Sequence, residues 1–374
     1  MAGNRFNATE WSGAFGDLGT FIPLVVGYIS IMGLDPLGIL VMFGVFLIAS
    51  GLYFKTPFPV QPMKAIAGVA ILQATVITPN MIWGAGLFTG LFWLIVGLSE
   101  ALKQMSKVIR KPLILGLILG LGISFVMQGI TFMRTDILIS VMALMITFAL
   151  MVNKKIPALL ILLFFGIAAA LVQNPELGGE LRLITPGFRL PGFALGSLTL
   201  AEIGSGIVLL ALAQIPLTLG NAVFVMTAQN NQLFPERPVT EKKVAISQGI
   251  MNLISPVFGG VPVCHGAGGM VSHVHFGAKT GGATIILGGV FLTLGLFFSD
   301  SVLLLFSMIP SSILGVILLF AGLKLATMSR EIGNDKKDFY LMILTAAFSL
   351  WNIGIGFLVG LIAQELLKRN WLRP

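Results

Sequence analysis

Charged side chains are scarce in this sequence, and cysteine is almost absent. Only 10% of the 374 residues are Asp, Glu, Lys or Arg, whereas a typical soluble domain has about 25%. The hydrophobic fraction is 56% and the mean hydropathy is +0.97. No long polar stretch interrupts the apolar runs, so we find no candidate soluble domain or disordered tail. These features exclude a soluble globular protein and indicate one membrane domain over residues 1–374.

Other residues and motifs that the sequence lacks exclude further classes of function. The single cysteine, Cys264, rules out an intramolecular disulfide, and three scattered histidines predict no metal site. There is no Walker-type phosphate loop, so we predict no transport driven by ATP hydrolysis in this chain. We also predict no enzyme activity and no cofactor. The net charge of +8 does not indicate nucleic acid, because the basic residues punctuate apolar runs rather than form a stripe. Met1–Trp11 lack a secretory signal pattern, so we expect the first span to be retained.

The apolar runs predict about fourteen spans, since a helix needs roughly 20 apolar residues to cross a bilayer. Twelve is the alternative if the short segments are re-entrant. The predicted spans are 13–33, 36–54, 59–77, 81–102, 112–132, 135–152, 156–173, 202–228, 240–257, 261–275, 280–298, 301–323, 338–350 and 352–367.

Loop charge predicts the orientation, because cytoplasmic loops are enriched in Lys and Arg. With fourteen spans and both termini inside, nineteen basic residues fall on the cytoplasmic side. Only Arg134, Arg182 and Arg189 fall outside, and Lys64 lies within a span. We therefore predict a multi-pass protein of a bacterial inner membrane with both termini in the cytoplasm.

The two halves of the chain repeat a motif where helices look broken. Pro59-Val60 and Pro262-Val263 each precede a run of small residues, at an offset of 262 − 59 = 203. Pro23 and Pro216 lie in similar contexts, at an offset of 216 − 23 = 193. An offset of seven spans inverts the second copy, as in inverted-repeat transporters. The predicted fold is therefore an all-α membrane protein built from two inverted seven-span repeats.

Each proline motif predicts a short strand followed by a helix that begins inside the membrane. A residue before proline is pushed out of the helical region, and proline suits the first turn of a helix. Such a half-helix has unpaired N–H groups and about half a positive charge at its start. Two of these starts, in spans 3 and 10, would form a cradle for an anion.

The candidate substrate-binding residues lie at these breaks. Lys64 costs several kcal/mol to place in a membrane, so anion contact is favoured over snorkelling toward Lys55. The other break residues are Gln61, Cys264, His265 and Gly266, with side chains or amides expected to face the site. For Cys264, packing as a small apolar residue is the favoured alternative; for His265, a proton carrier and a structural cap both stay open.

Polar residues in the first and eighth spans complete the candidate site. Asp17 is the candidate for the coupling proton, or alternatively a helix cap, and Thr20 is a further substrate-binding candidate. Gln214, Thr218 and Asn221 recur at spacings of four and three, which places them on one helical face. They would donate hydrogen bonds to the substrate, or else join helices to each other.

In these segments the sequence resembles the molybdate transporter family related to the sulfate permeases. The matching blocks are Gly13–Pro23, Pro59–Ala65, Ile215–Asn221, Pro262–Gly269 and Phe276–Thr280. The resemblance implies a core of spans in about 13–102 and 202–298, and a gate in about 112–173 and 301–367. It also implies that molybdate binds between spans 3 and 10 and that the core moves against the gate.

The resulting prediction is a secondary active transporter that imports molybdate by alternating access. Sulfate or tungstate transport is the first alternative, because these anions share the shape and charge of molybdate. A nucleobase symporter of the same fold and an anion channel are the others; Lys64 and the scarcity of intramembrane carboxylates favour a dianion over a neutral base. Coupling of transport to protons and formation of a homodimer are both left open.

Overall fold

The computed structural model describes residues 3–102, 104, 109–151, 158–182, 185–307 and 309–371. Their secondary structure is predominantly helical, which confirms the predicted class. The helices are α1 (Ala8–Ala14), α2 (Leu18–Val26, continued as a π-helix over Gly27–Ile31), α3 (Pro36–Phe54), α4 (Lys64–Leu72), α5 (Pro79–Leu98), α6 (Lys111–Met133), α7 (Ile137–Met151), α8 (Ala158–Gln173), α9 (Leu177–Arg182), α10 (Leu200–Leu233), α11 (Glu241–Ile254), α12 (Ala267–His275), α13 (Gly282–Ser307), α14 (Ser311–Thr327), α15 (Lys336–Trp351) and α16 (Ile353–Lys368).

Several helices have the length and composition of membrane spans. Among the described residues, six helices meet both conditions, and the bent pair Ala8–Asp17 and Phe21–Ile31 would be a seventh. The remaining predicted spans correspond to shorter helices, so the count of fourteen stays a prediction. Most helix bounds agree with the predicted spans to within a few residues, and α3 has the predicted bounds.

The twelfth predicted span, 301–323, is placed wrongly. α13 is interrupted at Phe298, where φ is −134°, and helix resumes as far as Ser307. α14 then begins at Ser311, with Pro310 at its N-cap. Proline has no N–H to donate and favours the first turn of a new helix. The polar residues near 300 therefore mark a kink, and Pro310 marks the true start of the next helix.

The predicted strand and half-helix are confirmed in both halves. Strand β1 (Gln61–Pro62) leads into α4, and strand β2 (Val263–Cys264) leads into α12. The strands pair antiparallel, with Gln61 opposite Cys264 and Pro62 opposite Val263. The Met63 N–H extends the pairing by donating to the Pro262 carbonyl at 2.9 Å. The starts of the two half-helices are therefore held side by side.

Helix pairs from the two halves of the chain make the most extensive helix contacts. α3 packs on α13, α5 on α11, and α6 on α14. In the α6–α14 contact, a Cβ at Gly322 would lie 2.5 Å from the Gly122 carbonyl oxygen. Only glycine permits this backbone approach, which is the close packing that small residues allow between membrane helices.

Candidate functional site

A small central cavity lies where α4, α10 and β2 face α6 and α14. Its volume is about 20 Å³, which leaves room for about one water molecule. Its polar wall consists of Lys64, Gln214, Thr218, Asn221 and Cys264. Its apolar wall consists of Ile118, Leu121, Leu217, Ala222, Leu325 and Met328. The polar wall lies on segments predicted to be core, and most of the apolar wall lies on segments predicted to be gate.

Lys64 is the first residue of α4 and lines the cavity. The N-cap residue, Met63, makes no side-chain cap bond, so the first amides of α4 need other acceptors. The Ala65 N–H donates to Gln214 Oε1 at 2.8 Å. The start of this half-helix therefore combines a side-chain cation with backbone amides beside the cavity.

Gln214 is oriented by a second hydrogen bond along α10. Its Nε2 donates to Thr218 Oγ1 at 2.9 Å, and both side chains are buried. From Thr218 to Val225 the helix is π-helical, and Asn221 lies in this segment. The wider turn leaves Gln214, Thr218 and Asn221 on the same cavity wall. Interruptions of this kind occur frequently at functional sites.

Asp17 and Gln61 form a buried pair behind this wall. Gln61 Nε2 donates to both carboxylate oxygens of Asp17, to Oδ2 at 2.7 Å. Asp17 is the N-cap residue of α2, but its side chain makes no cap bond there. The pair lies against the first turn of α12, where a Cβ at Gly269 would be 2.6 Å from Asp17 Oδ2. Asp17 thus joins α2 to β1 and α12.

His265 and Gly266 hold the second break together. His265 Nδ1 bonds to the Pro59 carbonyl at 2.8 Å and Nε2 bonds to Ser247 Oγ at 3.0 Å. Its fully buried ring also meets Phe58 edge-on, with centroids 4.8 Å apart. A Cβ at Gly266 would run into the Gln61 side-chain amide. Both residues therefore have a clear structural role in positioning β1 against α12.

The outer edge of β2 is held by two side-chain amides that sequence reasoning missed. Val263 N–H donates to Asn252 Oδ1 at 2.9 Å, and its carbonyl accepts from Gln248 and Asn252. The signal was present, because amides four residues apart in an apolar helix share one face. They satisfy backbone groups that would otherwise be unpaired inside the membrane.

The predicted site residues fall into two groups, those that line the cavity and those that do not. Lys64, Cys264, Gln214, Thr218 and Asn221 line the cavity, whereas Gln61, His265, Gly266 and Asp17 are not among its lining residues. The side chain of Thr20 lies outside the described part of the structure. The apolar wall of Ile118, Leu121, Leu325 and Met328 was not predicted, since these residues look like ordinary span residues in the sequence. Binding of a substrate by any of these residues stays a prediction.

Two comparisons with known proteins point to the same family. The family model described as "Molybdate transporter of MFS superfamily" matches residues 9–125 and 206–325. Molybdate transporter 2 of Arabidopsis thaliana is 32% identical over 98% of this chain and 88% of its own length. The matched segments include the residues of the polar cavity wall.

Solved structures show a similar fold at low sequence identity. The transmembrane domain of the cyanobacterial bicarbonate transporter BicA matches with a TM-score of 0.58 and 17% identity, covering 95% of this chain and 96% of that chain. The murine anion transporter Slc26a9 in its inward-facing state matches with a TM-score of 0.68 and 12% identity, covering 100% of this chain and 70% of that chain. The family model and the Arabidopsis relative are described as transporters, which agrees with the prediction that the chain is not an enzyme.

Proposed function

The chain belongs to the molybdate transporter family, and from this premise we propose that it imports molybdate by alternating access. The anion binds in the central cavity, between the starts of α4 and α12. The observation that carries the proposal is the side-by-side start of the two half-helices, with Lys64 at the first position of α4 and facing the cavity. Lys64 and the amides of the first turn supply positive potential where a dianion needs it.

The cavity volume supports movement of the gate as part of the cycle. With room for about one water, the cavity is too small for a tetrahedral oxyanion. The polar wall is held by hydrogen bonds and by the β1–β2 pair, whereas Leu325 and Met328 contribute only apolar contacts from α14 and the segment after it. Enlargement therefore requires displacement of the α6–α14 unit from the core.

The strand register supports the inverted repeat. At the offset of 203, Gln61 is equivalent to Cys264, and these two residues are opposite each other in the antiparallel pair. In the proposed repeat, α3 corresponds to α11, α5 to α13 and α6 to α14. If the two halves exchanged places, the α3–α13 contact would therefore become the α11–α5 contact, and the α6–α14 contact would be unchanged. These relations support the proposal of two seven-span units related by a twofold axis in the membrane plane.

Asp17 completes the proposal as the group that takes up a coupling proton. Its carboxylate is buried and accepts hydrogen bonds from Gln61, which lies between Pro59 and Pro62 at the first break. A change in its protonation would alter the contact between α2, β1 and α12. In a plasma membrane with both termini in the cytoplasm, the proton would enter with the anion.

Uptake into proteoliposomes tests the proposal. We expect saturable uptake of labelled molybdate, inhibited by excess tungstate and more weakly by sulfate, and unaffected by uracil. Liposomes without protein are the background control. Inhibition by uracil without molybdate uptake would replace the oxyanion with a nucleobase. Uptake that never saturates with molybdate concentration would indicate a channel instead of a carrier.

A further inference from the structure

A second lysine, Lys324, directly precedes Leu325, which lines the central cavity on the wall opposite Lys64. It is in the last turn of α14. Met328, four residues later and so on the same face of the chain, lines the cavity. The Lys324 side chain is exposed. An anion that passes between the cavity and the solution on this side would therefore meet its ammonium group.

Lys324 also makes a contact between the proposed gate and the proposed core. Its Nζ donates to Ser272 Oγ on α12 at 3.1 Å. The Ser272 hydroxyl in turn donates to the Gly268 carbonyl at 2.9 Å, which directs an oxygen lone pair to the ammonium. An ammonium group has three N–H donors, and this bond uses one of them.

The charges around the cavity leave a role for this lysine. Lys64 lines the cavity on one wall and Leu325, next to Lys324, lines it on the other, so the two ammonium groups repel each other across it. A dianion between the two ammonium groups would relieve this repulsion, and a single lysine would balance only half of its charge. Both cations can contact such an anion only if one of them approaches from the α14 side.

We infer that Lys324 is a second anion-binding cation, carried by the gate wall, that exchanges its bond to Ser272 for the bound dianion. The inference rests on the proposed function and deepens it, because it ties anion occupancy to the position of α14 against α12. Two lysines would also select for ligand charge, because a ligand with two negative charges is attracted by both of them.

Equilibrium binding to purified protein tests this inference, with molybdate and the monoanion perrhenate, which is also tetrahedral, as probes. Lys324→Gln is expected to raise the Kd for molybdate about tenfold, the usual scale for a lost charge-assisted contact. The Kd for perrhenate should rise about threefold, because Coulomb energy is proportional to ligand charge. Lys324→Arg should restore most of the molybdate affinity.

Two further variants separate anion contact from helix packing. Ser272→Ala removes the competing acceptor, so molybdate should bind about two- to threefold more tightly. Lys336→Gln, at an exposed lysine on the first turn of α15, is the matched control and should bind as wild type.

The outcomes distinguish this inference from the proposed function. Equal weakening of both anions in Lys324→Gln and Ser272→Ala would show that the contact only packs the helices, and would overturn the inference. A wild-type molybdate Kd in Lys324→Gln would also overturn it while the proposed function stands. Failure of the wild-type protein to bind molybdate would reject the proposed function itself.

Discussion

The two half-helices differ at their starts, although each follows a short strand of the same two-stranded sheet. α4 begins with a lysine that lines the cavity, and its second amide donates to Gln214. α12 begins after Gly266 with three small residues, and its first turn lies against Asp17 and Gln61. One start supplies charge to the cavity, and the other supplies space for a buried polar pair.

This difference shows how a repeated element can take two roles. Any half-helix start has a positive end, so both copies favour an anion. The side chains decide which start contacts the ligand directly and which one holds the frame. We therefore expect substitutions at the start of α4 to change anion affinity and substitutions at the start of α12 to change stability or coupling.

Lys64→Gln should have the largest effect on the α4 side. Loss of the cavity cation is expected to raise the molybdate Kd roughly 100-fold, as is typical of removing one partner of a buried charge pair. Binding of labelled molybdate to purified protein measures it. Lys55→Gln, at an exposed lysine after α3, should leave the Kd unchanged. If the two variants behave alike, Lys64 does not contact the anion.

Gln214→Glu distinguishes the role of Gln214 in capping α4 from its proposed position beside the anion. The new carboxylate can still accept from Ala65 N–H and favours a helix start, so the melting temperature should change little. Its negative charge should weaken molybdate binding about tenfold. Gln232→Glu, near the exposed end of α10, is the control with the same chemical change. Unaltered binding in Gln214→Glu would place the anion away from this wall.

Gly266→Ala should disturb the frame at α12. The added methyl group would meet the Gln61 amide, and overpacking of this kind costs about 1–3 kcal/mol. Gly268→Ala, where a Cβ meets nothing within 4 Å, is the matched control. Thermal unfolding in detergent should show a lower melting temperature for Gly266→Ala alone. Equal melting temperatures would mean that the Gln61 side chain moves aside at little cost.

Asp17→Asn should have the smallest effect on binding. The amide oxygen of the new side chain can accept from Gln61, so the molybdate Kd should stay within about threefold of wild type. Uptake driven by an imposed pH gradient should be lost, because the variant has no carboxylate to take up a proton. Glu236→Gln, at an exposed carboxylate, should retain the response. A full response in Asp17→Asn would remove this residue from coupling.

Much of the fold and part of the site were predictable from sequence. Long apolar runs define helices, and the prolines at 59, 62 and 262 define where two of them break, because proline restricts the backbone locally. Lys64, Gln214, Thr218 and Asn221 were identifiable because polar residues are costly in an apolar span. Leu325 and Met328 were not, since apolar residues on a cavity wall look the same as those that face lipid.

The sequence by itself determined the membrane environment, the helical class, the broken helices and the family, since these depend on composition and short motifs. The tertiary structure alone decided that Gln61 lies opposite Cys264, that Gln214 caps α4 from 149 residues away, and that Lys324 reaches Ser272. These contacts join segments distant in the chain, and no local preference of either segment specifies its partner. Packing of the whole chain sets them, because buried polar groups must find hydrogen-bond partners within the protein.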